Sequence, residues 1–288
     1  MRNLIFAIPA ACLTIAASIW LLPSAGSLDV GGVNILPWIL PGVFAFSLAE
    51  AIALSLWRRD YDWSSWFASS MLAMGRQLVS LAPLSLVGPL FALAWQHRIA
   101  TVQLGPWWSF ALLILGQEFC YYWVHRSSHH IRWFWATHAV HHSPNDYNLA
   151  AAFRLGWTSK LSGEAIFNLP LVWLGFRPDV VGAAILFTLL YQFWLHTELV
   201  PRLGPLEWVL NTPSHHRVHH ASNGDYLDKN FGGTLIVFDR LFGTYVPERA
   251  DLPCRYGLVT PLSSHNPIFI ALHEWLAMAR DEIGRAHV

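Results

Sequence analysis

The sequence predicts an all-α fold, arranged as a polytopic integral membrane protein with four spans, a helical hairpin and a cytosol-facing, histidine-rich helical cap. Three observations carry this expectation. Of the 288 residues, 54% are hydrophobic and 12% charged, and sixteen are tryptophan, a ring favoured at bilayer interfaces. Long apolar runs with few charges recur between residues 4 and 195. Ten of the fifteen histidines fall in three stretches, 125–130, 138–142 and 215–220, at spacings that repeat on a helix face.

Residues 4–22 form the first apolar run. Arg2 before it and Pro23-Ser24-Ala25 after it imitate a secretory signal, but the run exceeds a usual signal core and reads as a retained anchor. Three more runs follow at 35–57, interrupted by Glu50, at 78–95, and at 107–124, which carries Glu118. Residues 161–176 and 180–195, separated by Arg177-Pro178-Asp179, read as a hairpin that enters the membrane and returns. Arg2, Arg58, Arg59 and Arg76 share one side and the loop 24–34 holds no Lys or Arg, which places the amino terminus in the cytoplasm; Arg98 and Arg177 fall on the far side. Four crossings then bring His125 to the cytoplasmic face, and the hairpin returns His196 to it. The expected setting is a bacterial inner membrane or the endoplasmic reticulum.

The histidine spacings aim rings at a common point. His125 and His129 share a helix face, His138, His141 and His142 can converge from an H-x-x-H-H run, and His216, His219 and His220 repeat that run. At about 100° per residue, His129 stays about 40° from His125 while His130 swings to about 140°, which sets His130 outside the cluster. His215 is left outside the ligand set, though it could share the face of His219. His196, ending the hairpin at the same membrane face, joins the set. Glu118, inside a span and on the face of Tyr122, His125 and His129, is costly unless paired and is a candidate to hold a ligand imidazole from outside, as is Glu198. Glu50 has no such neighbours and receives no role.

Neutral imidazole is the commonest protein ligand for transition metals, so these clusters point to metal. Nine imidazoles exceed what one catalytic zinc needs, and two ions fit them better. Imidazole suits zinc, copper, iron and nickel alike; a paired redox metal beside a bilayer favours iron, which can use oxygen on unactivated C–H bonds. Cys12, Cys120 and Cys254 form no C-x-x-C pair, which excludes a disulfide framework and a thiolate cluster. A formal net charge of zero gives no electrostatic case for nucleic acid. No phosphate-binding glycine loop is present, so electrons must come from an external donor. The non-enzymatic alternative is a metal transporter, which would place ligands near the midplane on broken helices, often in repeated halves.

The series H-x-x-x-H at 125–129 and H-x-x-H-H at 138–142 and 216–220, set after four apolar runs, resembles the fatty acid hydroxylase/sterol desaturase superfamily. The resemblance covers roughly residues 116–256. Within it, Phe119-Cys-Tyr-Tyr-Trp-Val-His-Arg126, Leu190-Tyr-Gln-Phe-Trp-Leu-His-Thr-Glu198, Asn211-Thr-Pro-Ser-His-His-Arg-Val-His-His220 and Phe242-Gly-Thr-Tyr245 are similar to the alkylglycerol monooxygenases, and ornithine-lipid hydroxylases share much of this text. The resemblance implies a non-haem diiron, oxygen-dependent monooxygenase acting on a membrane lipid. In the ether-lipid case, oxygen and a reduced pterin such as tetrahydrobiopterin, or another external reductant, would hydroxylate the carbon beside the ether oxygen, and the hemiacetal would collapse to an aldehyde and a glycerol. Fatty-acyl, sterol or ornithine-lipid hydroxylation or desaturation is the alternative. The same resemblance implies that His125, His129, His138, His141, His142, His196, His216, His219 and His220 hold two irons, with Glu118 and Asn230 tuning them from outside. The sequence is shorter than the animal members of the family.

The chain is thus expected to divide into an anchor (1–106), a catalytic region (107–250) that includes the membrane hairpin 161–196, and a carboxyl-terminal cytosolic or interfacial helix (251–288). Residues 225–245 read as a turn-rich cap in which Asp228 and Asp239 have no assigned chemistry. In 266–280, Ile268, Leu272, Trp275 and Ala279 recur on one face, as in a helix lying on the membrane or closing the cap.

Overall fold

In the computed structural model, residues 29–30, 33–34, 36–58, 61–80, 82 and 85–285 are described. Regular structure among them is helical, apart from a short antiparallel pairing of β1 (Asp29–Val30) with β2 (Val33–Asn34) and isolated bridges. Five longer helices come first: α1 (Leu36–Arg58), α2 (Trp63–Ser80), α3 (Gly88–Gln96), α4 (Trp107–His130) and α5 (Arg132–His142). Short pieces follow as α6 (Leu149–Ala152), α7 (Ser159–Ser162), a 3-10 turn at Glu164–Asn168 and α8 (Leu169–Leu174). The remainder comprises α9 (Pro178–Phe193), α10 (Pro213–His219), α11 (Val237–Phe242) and α12 (Pro267–Arg285).

Local chemistry sets these boundaries. Proline occupies the first positions of α3, α8, α9 and α10, where its missing N–H has no helical partner to lose. Ile131, in an extended conformation, separates α4 from α5 and lets α5 fold back on α4. The Asn148 side chain accepts from Ala150 N and starts α6. Gly163, at φ 85°, ends α7 in the left-handed conformation that glycine tolerates.

The main apolar core lies between α4, α8 and α9, where Leu113, Cys120, Leu171, Val172, Phe176, Val181 and Ala184 pack together. The outward face of α4 carries Trp107, 81% exposed, with Leu112, Leu115 and Phe119. A second core joins Ala68 and Leu72 of α2 to Val140 of α5 and to Ile270 and Ala271 of α12.

The all-α expectation holds, and the run boundaries map onto the helices unevenly. The run 4–22 lies outside the described residues. Residues 36–57 of the second run fall within α1 and the run 107–124 within α4, whereas 78–95 is divided between the end of α2 and α3. The hairpin's first arm, 161–176, is broken into α7, the 3-10 turn and α8 by Gly163 and Pro170, and only its second arm forms one helix, α9. Among the described residues, no helix is long and apolar enough to cross a membrane. The carboxyl-terminal helix is present; of the expected face, Leu272 and Trp275 turn inward beside buried Ile270 and Ala271, whereas Ile268 is 59% exposed and Ala279 is exposed as well. It packs on α5 and α2, and Trp275 Nε1 donates to Thr158 Oγ1 at 3.0 Å.

Gly156 passes so close to α5 that a Cβ there would overlap the Thr137 carbonyl oxygen. Gly156→Ala is therefore expected to displace the helix that carries His138 and His141 and to lower the thermal midpoint by several degrees. An unchanged midpoint in a thermal melt would remove this contact from the account.

Candidate metal centre

Four segments deliver the imidazoles. The last turns of α4 present His125 and His129, α5 presents His138, His141 and His142, the turn after α9 carries His196, and α10 with its cap carries His216, His219 and His220. Their ring nitrogens gather into two groups: His125, His129, His138, His142 and His219 in one, and His141, His196, His216 and His220 in the other. Within each group the candidate ligand atoms lie within 4.8 Å of one another. The groups abut, with the His142 and His220 rings stacked at 4.3 Å. The sequence had the three rings of each H-x-x-H-H run converging. Instead the outer pair, four residues apart, shares one group and the middle ring turns to the other, because one residue of offset rotates a side chain by about 100°.

Backbone carbonyls fix how several rings face. His125 Nδ1–H donates to Phe231 O at 2.8 Å, His196 Nδ1–H to Gln192 O at 2.8 Å and His219 Nδ1–H to Lys229 O at 2.9 Å. In a neutral ring that leaves Nε2 of these three as a bare lone pair. The Nε2 of His196 nevertheless faces both His141 Nε2 at 3.2 Å and His216 Nε2 at 3.1 Å. Likewise His138 Nε2 faces both His125 Nε2 and His142 Nε2 at 3.1 Å. One ring nitrogen cannot serve two such neighbours with one lone pair or one proton, so part of each set lacks a partner. The Nε2 atoms of His129, His219 and His220 are buried with no hydrogen bond among the described residues. A cation resolves both problems. Two imidazoles bound at about 2.0–2.1 Å and about 100° apart leave their nitrogens about 3.1–3.2 Å from each other. The donor set therefore fits transition metal ions, with imidazole as the ligand of iron, zinc, copper or nickel.

Burial keeps these rings uncharged. It holds His125, His138, His142, His196, His216, His219 and His220 well below the ordinary imidazole value and brings His141 to about 4. His129 is also lowered by burial, against the pull of Asp228, whose Oδ1 lies 3.4 Å from its Nδ1.

The remaining candidates lie around this centre. His130 is outside both groups and largely solvated, 4.0 Å from Asp228 Oδ2. His215 is fully buried but joins neither group; its ring meets Tyr245 edge-on at 5.3 Å and its Nε2 lies 3.9 Å from Glu207. Glu118 bonds no imidazole: it accepts from Thr188 Oγ1 at 2.9 Å and from the N–H groups of Thr234 and Leu235 at 2.7 and 2.9 Å, tying α4 to α9 and to the loop before α11. Asn230, at φ 56°, donates to the carbonyls of His215 and Val246 and bonds no ring. Glu198 is exposed on the wall of a separate polar cavity beside Tyr147 and Tyr256.

Two positioning carboxylates carried little sequence signal. Asp239 accepts from Phe231 N, Gly232 N and Thr244 Oγ1, all at 2.7 Å, and so holds the loop whose Phe231 carbonyl orients His125. Glu50, a carboxylate within an apolar run like Glu118, accepts from Leu149 N and Thr197 Oγ1 at 2.6 Å and fixes the residue after His196. The rule that an acid inside an apolar run needs partners applied to Glu50 as well.

A cavity of about 480 Å3 opens onto His125, His138, His141 and His196. Its apolar wall includes Leu186, Leu189, Leu190 and Phe193 of α9, a lining suited to an acyl or alkyl chain.

The Fatty acid hydroxylase family matches residues 110–244, which span α4 to the end of α11 and carry all nine histidines. Over this segment the chain is therefore similar to fatty acid hydroxylases. Over 170 residues the chain is 46% identical to alkylglycerol monooxygenase of Xenopus tropicalis, covering 58% of this chain and 37% of that protein. It is 44% identical over 171 residues to the human alkylglycerol monooxygenase, covering 58% of this chain and 38% of that one. The ornithine lipid hydroxylase OlsE of Rhizobium tropici is 32% identical over 131 residues, 44% of this chain and 39% of that protein. The chain thus spans less than two fifths of the length of these relatives. No solved structure matches it.

Two outcomes follow for this centre. His129→Ala is expected to lower bound metal, measured by elemental analysis of the purified protein, whereas His130→Ala should leave it nearly intact; equal losses would refute the grouping. In the metal-free protein, rings that are neutral when folded take a proton near 6.5 when unfolded. For His141, brought to about 4, the contribution is complete above that pH and is lost as the pH falls toward 4, at about 1.4 kcal/mol per pH unit inside that window, and the other buried rings act in the same direction. Denaturant melts of metal-free protein that show no loss between pH 7 and pH 4 would count against buried neutral imidazoles.

Proposed function

We propose that the chain is a membrane-embedded, non-haem diiron, oxygen-dependent lipid monooxygenase. The observation that carries this is the meeting of two adjacent imidazole groups with the end of an apolar cavity. In this reading His125, His129, His138, His142 and His219 hold one iron, and His141, His196, His216 and His220 the other. When bound, the iron pair supplies oxygen activation strong enough for an unactivated C–H bond. The chain's own residues do the rest: α9 aligns the hydrocarbon, and the carbonyls of Phe231, Gln192 and Lys229 orient the rings.

The relatives' names favour the carbon beside an ether oxygen as the target, which would cleave alkylglycerol lipids to an aldehyde and a glycerol. Hydroxylation or desaturation of an ornithine lipid, a fatty-acyl lipid or a sterol is the second reading, favoured by the ornithine lipid hydroxylase relative. Electrons come from an external donor, with a reduced pterin such as tetrahydrobiopterin as one candidate. The exposed apolar face of α4 supports residence in a bilayer, and the arginine distribution supports a metal centre facing the cytoplasm.

Anaerobic purification, metal analysis and lipid analysis of expressing cells under oxygen test this together. The expected result is iron at two ions per chain and a new oxygenated lipid or fatty aldehyde, both lost in His219→Ala. Stoichiometric zinc with an unchanged lipid profile would overturn the reading.

A further inference from the structure

The cavity that ends at the histidines is chemically two-sided. Buried His125, His141 and His196 mark its floor, while exposed Gln77, Ser85 and Lys160 mark its rim. Arg76, on the last turns of α2, also lines the cavity, in a partly buried position. Its guanidinium makes no hydrogen bond or ion pair among the described residues. The acid that acts on it, Glu164, is engaged by Ser162 Oγ at 3.0 Å and does not close an ion pair with it. Glu164 lines the same cavity and its charge acts on Arg76 from beyond hydrogen-bonding distance, so the N–H fork of this partly buried guanidinium, a planar shape suited to an oxyanion, is not taken up by any described residue. Lys160, whose Nζ donates to Ser80 O at 2.7 Å, adds a second positive charge at the rim.

We infer that Arg76 is the headgroup anchor of this cavity and that its ligand is an anionic amphiphile, a single-chain lipid bearing a phosphate or carboxylate. This rests on the lipid-oxygenase reading and deepens it by naming the substrate class. The oxyanion forks onto Arg76 near the rim, and the chain runs along Leu186, Leu189, Leu190 and Phe193 toward the histidines. With the head fixed, the span from Arg76 to the cavity floor selects which carbon meets the metal centre. Arg76 is thereby a specificity-determining residue, and an uncharged alkylglycerol would lack this anchor.

The test uses the full chain in nanodiscs of zwitterionic lipid, with tryptophan quenching as the readout and empty nanodiscs as the blank. The probes are an alkyl phosphate, an uncharged alkylglycerol of the same chain length, and inorganic phosphate as competitor. The expected result is that alkyl phosphate binds at least about tenfold more tightly than the alkylglycerol. Arg76→Gln should erase that preference without changing alkylglycerol binding, Arg76→Lys should retain part of it, and inorganic phosphate should compete only weakly. Equal affinities in the unaltered protein, a preference that survives Arg76→Gln, or displacement by inorganic phosphate as effective as by the alkyl phosphate would each overturn the inference. Unchanged alkylglycerol binding shows that the variant is folded. Iron content of the same samples separates the two proposals: an Arg76-dependent preference in protein that takes up no iron would leave the anchor standing and remove the diiron reading.

Discussion

Nine ring nitrogens share a space with too few protons to go round. Each neutral imidazole has one donor and one acceptor, and the carbonyls of Phe231, Gln192 and Lys229 take the donors of His125, His196 and His219. What remains in the middle is a set of Nε2 atoms at separations of 3.1–3.2 Å that ring protons can pair only in part, in a region where burial resists further protonation. Such an arrangement is unfavourable unless cations enter it. The surrounding structure can be understood as what is needed to hold those rings together without one.

That work falls to buried polar clamps more than to the apolar core. Glu118 draws residues 234–235 onto α4 and Asp239, on α11, holds residues 231–232, both through backbone N–H groups, and the loop in turn offers its Phe231 carbonyl to His125. Arg217 grips Glu248 with two parallel bonds of 2.8 and 2.7 Å and reaches the carbonyls of Thr197 and Val200, joining α10 to the segment just after His196. Glu50 anchors Thr197 from the other side. Loss of one partner in such a buried set leaves the others unsatisfied, at a cost of about 1–3 kcal/mol per group. The hydrophobic packing of α4, α8 and α9 supplies the frame on which these clamps act.

That these imidazoles would gather was legible in the sequence because spacing and helical phase are local. His125 and His129 separate from His130 on one helix by angle alone, and the structure keeps that division. Which ring serves which group was not legible, since His141 and His142 are adjacent in sequence yet face different partners brought by α9 and α10. Glu118 was singled out for the right reason, that an acid in an apolar run must be paired, but its partners come from Thr188, Thr234 and Leu235, far along the chain. Asp239 gave no signal, because its partners are backbone N–H groups that any sequence would supply. The apolar runs marked where helices lie but not their lengths, as Gly163, Pro170 and Gly175 divide the stretch that reads as one hairpin arm.

The central claim is that the two imidazole groups are two metal positions. Mössbauer spectroscopy of protein loaded anaerobically with iron reads the environment of each ion directly. The account requires two iron environments in equal amount, distinct because five imidazoles converge on one and four on the other. A single iron environment at one ion per chain would contradict it.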